Sequence, residues 1–118
     1  MNISHNGLGE LVTTFAVDGK ADIKAGTLIK LIHGEATPAE TGDAFIGVAA
    51  DDSRNGKIAV QVGGYVKTKF TGMADYGLQY VVVDNDNSVE FCSASTENAI
   101  PVKTLFIDSS NGIAGFIM

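Results

Sequence analysis

The chain has 118 residues, a length that suits one domain, and its 45% hydrophobic and 19% charged residues are typical of a folded globular protein rather than a disordered one. A net charge of −6 opposes contact with phosphate backbones, so we expect no nucleic-acid partner. The single cysteine, Cys92, excludes a disulfide within the chain. Apolar runs are too short for a membrane span, and the first residues lack the features of a signal peptide, so we expect neither a membrane partner nor secretion.

The first nine residues contain two glycines and two asparagines and offer little to bury. We interpret residues 1–9 as an N-terminal arm and residues 10–118 as one β domain. Short apolar runs with turn residues about every ten positions are typical of an all-β barrel or sandwich. We expect about seven to nine short, mostly antiparallel strands and at most one or two short helical turns.

The first half of the domain predicts strands over 11–17, 27–32 and 45–50, with a loop over 34–42 that contains Pro38. Asn55-Gly56 then marks a hairpin turn at the end of a polar connector.

Residues 58–70 show the cleanest alternation, with Ile58, Val60 and Val66 on a buried face. The lysines at 57, 67 and 69 lie on the other face, which we interpret as solvated. Gly63-Gly64 interrupts the run and predicts a bend, as when a strand passes from one sheet to the next.

Two further hairpins are expected, one joining 78–83 to 88–93 and one joining 101–108 to 112–118. Residues 72–75 and 96–99 are candidates for single helical turns. Because the last seven residues include four large apolar ones, we expect them to lie in a sheet or beneath a neighbouring subunit.

The segment Asp84–Ser88 places oxygen ligands at the first, third and fifth positions of a calcium-binding loop. However, Val89 replaces the glycine that such a loop needs at its sixth position, and Ser95 replaces the glutamate at its twelfth. A polar hairpin turn is the better interpretation, because Asn and Asp tolerate positive φ.

Other reactive side chains are scattered. His5 and His33 have no nearby ligand at metal-site spacing, and Cys92 has no base that the sequence marks as its partner. Asp51 and Asp52 point to opposite sides of an extended chain, where Arg54 could pair with one of them. We therefore expect no metal, no cofactor, no catalytic residue and no enzymatic activity.

The stretch "GDAFIGVAADDSRNGKIAVQVGGYVKTKF" resembles small phage head proteins of the capsid decoration or stabilisation type. The resemblance rests on Ile46-Gly47-Val48-Ala49, a polar loop, and a return strand with Ile58, Val60, Gly64 and Val66. Further matches are Ala25 to Ile29 before the hairpin and Gly77 to Asp86 after it. Together they extend the resemblance over about residues 10–118.

The resemblance implies a non-enzymatic protein on the outer capsid surface of a phage or prophage, made in the bacterial cytoplasm. Its partners would be the major capsid protein and other copies of itself, with a trimer favoured. Separately, we expect the arm to order on the partner; the contact residues predicted there are Asn2, Ile3, Ser4, His5, Asn6 and Leu8. The alternatives are another phage structural β-module, associated with a fibre or tail, or a carbohydrate-binding domain that uses Tyr65, Tyr76 or Tyr80.

Overall fold

A computed structural model describes residues 11–17 and 22–118, and these form an all-β fold, as the sequence predicts. One 3-10 turn, Asn85–Asn87, is the sole helical segment among them, so no described helix is long enough to cross a membrane. Ten strands lie in the described residues: β1 Leu11–Ala16, β2 Leu28–Ile32, β3 Glu35–Pro38, β4 Gly47–Ala49, β5 Lys57–Gly63, β6 Tyr65–Thr71, β7 Gly77–Asp84, β8 Ser88–Cys92, β9 Ile100–Asp108 and β10 Ile113–Ile117.

The strands divide into two sheets that follow one another along the chain. The first half forms an open, antiparallel sheet in the order β1-β5-β4-β2-β3. The second half forms a closed barrel in the order β10-β6-β8-β7-β9. Its pairs are antiparallel except for β6 with β8, which are parallel. Both later hairpins are confirmed, and β10 holds the apolar C-terminal segment between β6 and β9.

The long alternating segment bends where the paired glycines predict. β5 lies in the open sheet and β6 in the barrel, and only Gly64 separates them. Gly64 has φ of 92°, which a residue with a β-carbon rarely adopts, so glycine permits the turn there. Val60 and Val66 are buried while Lys57 and Lys67 are exposed, which confirms the two predicted faces.

The hairpin turn at Asn55-Gly56 is also confirmed. Both residues have positive φ, and the flanking Arg54 and Lys57 exchange backbone hydrogen bonds of 2.8 and 3.0 Å. Positive φ at both central positions defines a type I′ turn, whose twist matches that of the flanking strands. The polar connector therefore ends in a tight two-residue turn although the whole loop is longer.

Three local predictions are wrong. The predicted loop over 34–42 contains β3, which pairs with β2 through the two-residue turn His33-Gly34. Pro38 ends that edge strand, where its missing N–H costs no ladder bond. Residues 72–75 and 96–99 are not helical; the second segment closes with a turn in which Ala99 N–H donates to Thr96 C=O.

Two apolar clusters form the core, one in each half. The barrel interior includes Val81, Val89 and Phe116, all fully buried. The open sheet packs Ile23, Ile29, Ile58 and Val60 into the second cluster. Leu28 of β2 belongs to the barrel cluster although its strand lies in the open sheet. The open sheet therefore contributes an apolar side chain to the core of the barrel.

Hydrogen bonds also connect the halves. The side chain of Asn87 accepts from Leu28 N–H at 2.7 Å and donates to Gly26 C=O at 2.8 Å. Gly42 N–H donates to Val83 C=O, and Val83 N–H donates to Asp43 C=O, so the 39–45 connector lines up beside β7. These bonds position the open sheet against the barrel.

Candidate interaction surfaces

The contact residues predicted from the sequence all lie outside the residues that the structure describes; they are Asn2, Ile3, Ser4, His5, Asn6 and Leu8. The described chain begins at Leu11, the first residue of β1.

β1 is an edge strand with unusual exposure. Five of its six residues are exposed, including Leu11 at 58%, and it contains neither charge nor proline. Ala59, opposite Thr14, directs its carbonyl towards the β4 side, where it accepts from Ala50 N–H. Backbone groups alternate along an antiparallel strand, so the N–H and C=O of Thr14 point away from β5. This edge pairs with no strand of the described residues; just beyond it, Val17 forms one isolated bridge with Ala36.

The outer surface of the barrel collects lysines and apolar side chains from strands that are distant in sequence. We call it the lysine face; it comprises Tyr65, Lys67, Lys69, Leu78, Lys103, Phe106, Ile113 and Ile117. One cross-strand row runs from Leu78 through Lys103 and Ile117 to Tyr65. A second row places Gly115 between Lys67 and Phe106. Residues directly opposite each other share a face, so the rows are neighbours on one surface.

Two contacts fix this face locally. The ammonium of Lys67 lies 4.6 Å from the centroid of the Phe106 ring, within the range of a cation–π interaction. The Tyr65 ring covers Gly115 so closely that a β-carbon there would overlap its hydroxyl. Burial raises the pKa of Tyr65. The aromatic ring thus fills the space that glycine leaves on the strand.

A groove of about 240 Å³ lies at one end of the lysine face. Its lining is mainly apolar and includes one lysine: Leu78, Pro101, Val102, Lys103, Ile117 and Met118. A groove of this size admits an apolar side chain rather than a whole small-molecule ligand, for which about 300 Å³ or more is usual.

A more polar groove of about 400 Å³ lies between β6, the 3-10 turn and the β9–β10 turn. It includes Asp84, whose pKa is lowered mainly by the hydrogen bond from the Thr71 hydroxyl. In the adjoining turn, hydrogen bonds from Asn111 lower the pKa of Asp108. Lowered pKa values keep both carboxylates ionised at neutral pH, which suits turn stabilisation and not general-acid chemistry.

The other reactive residues singled out in the sequence lie apart. Cys92 is partly buried, and its thiol lies 3.6 Å from Tyr80 C=O. His33 occupies the β2–β3 turn with φ of 52°. Asp51 lies 3.8 Å from Arg54 in an exposed pair, as the sequence suggested, while Asp52 accepts from Ala25 N–H. Within residues 11–17 and 22–118, no three His, Cys, Asp or Glu side chains group as metal ligands would.

The sequence does not indicate the partly buried ion pair between Lys30 and Asp43. Lys30 of β2 lies 2.7 Å from Asp43, and both side chains are about one-quarter exposed. The hydrogen bond between them raises the pKa of Lys30 and lowers that of Asp43, which also accepts from Glu40 N–H. Lys30 is the single charged residue within the apolar run of β2, and nothing in that run indicates its partner, which only the fold of the connector reveals.

The three tyrosines considered for sugar binding lie on β6, in the β6–β7 connection and on β7. Tyr65 is partly buried over Gly115, and Tyr76 is exposed in the β6–β7 connection. Tyr80 pairs with Pro101 and Cys92 on neighbouring strands.

Comparison with known proteins adds no relative: no protein-family model matches the chain, and neither curated proteins nor solved structures give a significant match.

Proposed function

We propose that the chain is a structural protein of a phage or prophage head, a capsid decoration protein without enzymatic activity. It binds the outer capsid surface, contacts the major capsid protein and stabilises the head. Copies associate with one another, and a trimer is the form we favour. The sequence pattern around residues 42–70 is the basis of this proposal.

One structural observation supports it most. Exposed apolar side chains are spread over sheet surfaces and a strand edge, with Leu11 on β1, Leu31 on β2, and Leu78 and Phe106 on the barrel. Adhesion through many shallow contacts needs surfaces of this kind, whereas a small-molecule site needs a concave pocket with converging polar groups. Association between copies would also cover the edge of β1 that pairs with no strand of the described residues.

The proposal is tested by mixing the purified protein with expanded capsid shells of the phage that encodes it. We expect the protein to co-sediment with shells at about micromolar concentration and to raise the temperature at which they lose integrity. Sedimentation equilibrium of the free protein reports its oligomeric state. Shells that neither retain the protein nor gain stability from it would overturn the proposal.

A further inference from the structure

We infer that the lysine face is the surface that binds the partner, and that the matching partner surface is acidic and apolar. The inference rests on the proposed function, because the partner in question is the outer capsid surface. It specifies which face of the protein binds the capsid and what kind of partner surface that face recognises.

Charge is the first argument. The face carries Lys67, Lys69 and Lys103, although the chain as a whole has a net charge of −6. A third row runs from Lys69 through Ile113 to Asp108, whose carboxylate accepts a hydrogen bond from Asn111. An acidic partner would repel the rest of the molecule and attract this face. Complementary charge therefore selects both the partner and the orientation of docking.

Apolar contact is the second argument. Leu78 is 62% exposed within the row that contains Lys103, and Phe106 is exposed on the neighbouring row. Leu78 and Lys103 both line the groove of about 240 Å³, together with Ile117 and Met118. An apolar side chain of the partner fits this groove while a nearby carboxylate reaches Lys103. A central apolar anchor with surrounding charges is the usual arrangement of energetically important contacts.

Rigidity is the third argument. The face belongs to a closed barrel, whose strands are hydrogen-bonded on both sides. Lys67 is held over the Phe106 ring, and Tyr65 is packed on Gly115. A surface that is already ordered loses less side-chain freedom on binding, so more of the contact energy appears as affinity.

The test uses the shell co-sedimentation described above with two pairs of variants. The charge variant Lys67→Glu/Lys103→Glu is compared with Lys24→Glu/Lys57→Glu, which changes the net charge equally at exposed lysines of the other half. The apolar variant Leu78→Ser is compared with Met73→Ser, an exposed residue outside the face. Thermal unfolding and sedimentation equilibrium of every variant check folding and oligomeric state.

We expect the charge variant to bind shells at least about tenfold more weakly than its control, and Leu78→Ser to weaken binding more than Met73→Ser. Wild-type binding should also weaken between about 0.05 and about 0.5 M NaCl. If the wild type binds shells and each face variant binds them as tightly as its own control, this inference alone is overturned. A wild type that does not bind overturns the proposed function as well. Face variants that lose self-association along with shell binding would assign the face to contacts between copies instead.

Discussion

Gly47 shows how a single residue can be fixed by space rather than by backbone conformation. It begins β4, and a β-carbon there would overlap the backbone carbonyl oxygen of Gln61 on β5. Backbone atoms cannot turn aside as a flexible side chain can, so the two strands would have to separate. Gly63 offers a contrast, because a β-carbon there would meet Leu11 at an ordinary 3.6 Å.

We therefore expect Gly47→Ala to destabilise the protein by about 3 kcal/mol, since it forces strand β4 away from its neighbour. Gly63→Ala, also in a strand, should change stability by less than about 1 kcal/mol. Urea unfolding of both variants measures the difference. Equal stabilities for the two would show that β4 accommodates the added carbon.

Individual residues differ in how much the sequence reveals about them. Asn55-Gly56 predicts its turn because the requirement for positive φ is local to the dipeptide. The requirement for glycine at position 47 depends on the strand that lies opposite, 14 residues later at Gln61, so no local pattern carries it. The pairing of Lys30 with Asp43 is hidden for the same reason.

At the level of elements, the two edges of the open sheet are built differently. β3 is four residues long, begins with Glu35 and ends with Pro38, all features that discourage pairing with another chain. β1 has six residues and none of these features. Apart from the bridge between Val17 and Ala36, the described residues leave this edge unguarded, so it is suited to pairing with a partner.

The direction of backbone groups in β1 can be tested with proline. Because the N–H of Thr14 points away from β5, Thr14→Pro removes no bond of the sheet. Thr13 has the opposite orientation, so Thr13→Pro removes a ladder bond to β5 and should cost at least about 1 kcal/mol more. Thermal unfolding of the free protein compares the two variants. A larger loss for Thr14→Pro would mean that the outer edge of β1 is already paired.

Strands with a buried face were the easiest elements to predict. Alternation located β5 and β6, and the paired glycines located the break between them. The sequence pattern does not predict β3, because Pro38 and the polar residues around it are typical of loops. β3 is a strand because it pairs with β2, and its own sequence does not indicate that pairing. The 3-10 turn at Asn85–Asn87 was expected only as a polar hairpin connection.

For the whole molecule, the joint between the halves depends on few polar contacts. Asn87 combines two roles, a positive φ of 58° and a side chain that bonds to both Gly26 and Leu28. Nothing in the sequence indicates the second role, because its partners lie about 60 residues away. The lysine face is hidden in the same way, since only barrel closure brings Lys103 beside β10 and β6.

Replacing Asn87 by glycine separates these roles, since glycine accepts positive φ but cannot make the two bonds. We expect Asn87→Gly to lower the free energy of unfolding by about 1–2 kcal/mol. Asn55→Gly is the matched control, because Asn55 has φ of 54° in an exposed turn without a side-chain hydrogen bond in the described structure; its effect should stay within about 0.5 kcal/mol. Chemical denaturation measures the free energy of unfolding of both variants. Equal losses would show that the side chain of Asn87 does not stabilise the contact between the two halves.

The position of β10 has a consequence for how the protein is made. β10 lies between β6 and β9, and its pairing with β6 joins residues about 50 positions apart. During synthesis, β6 to β9 emerge from the ribosome before the strand that completes their barrel, and β6 and β9 keep open edges until then. A nascent chain halted before residue 113 would therefore expose two adhesive edges of the barrel, and release of β10 is the step that closes both of them.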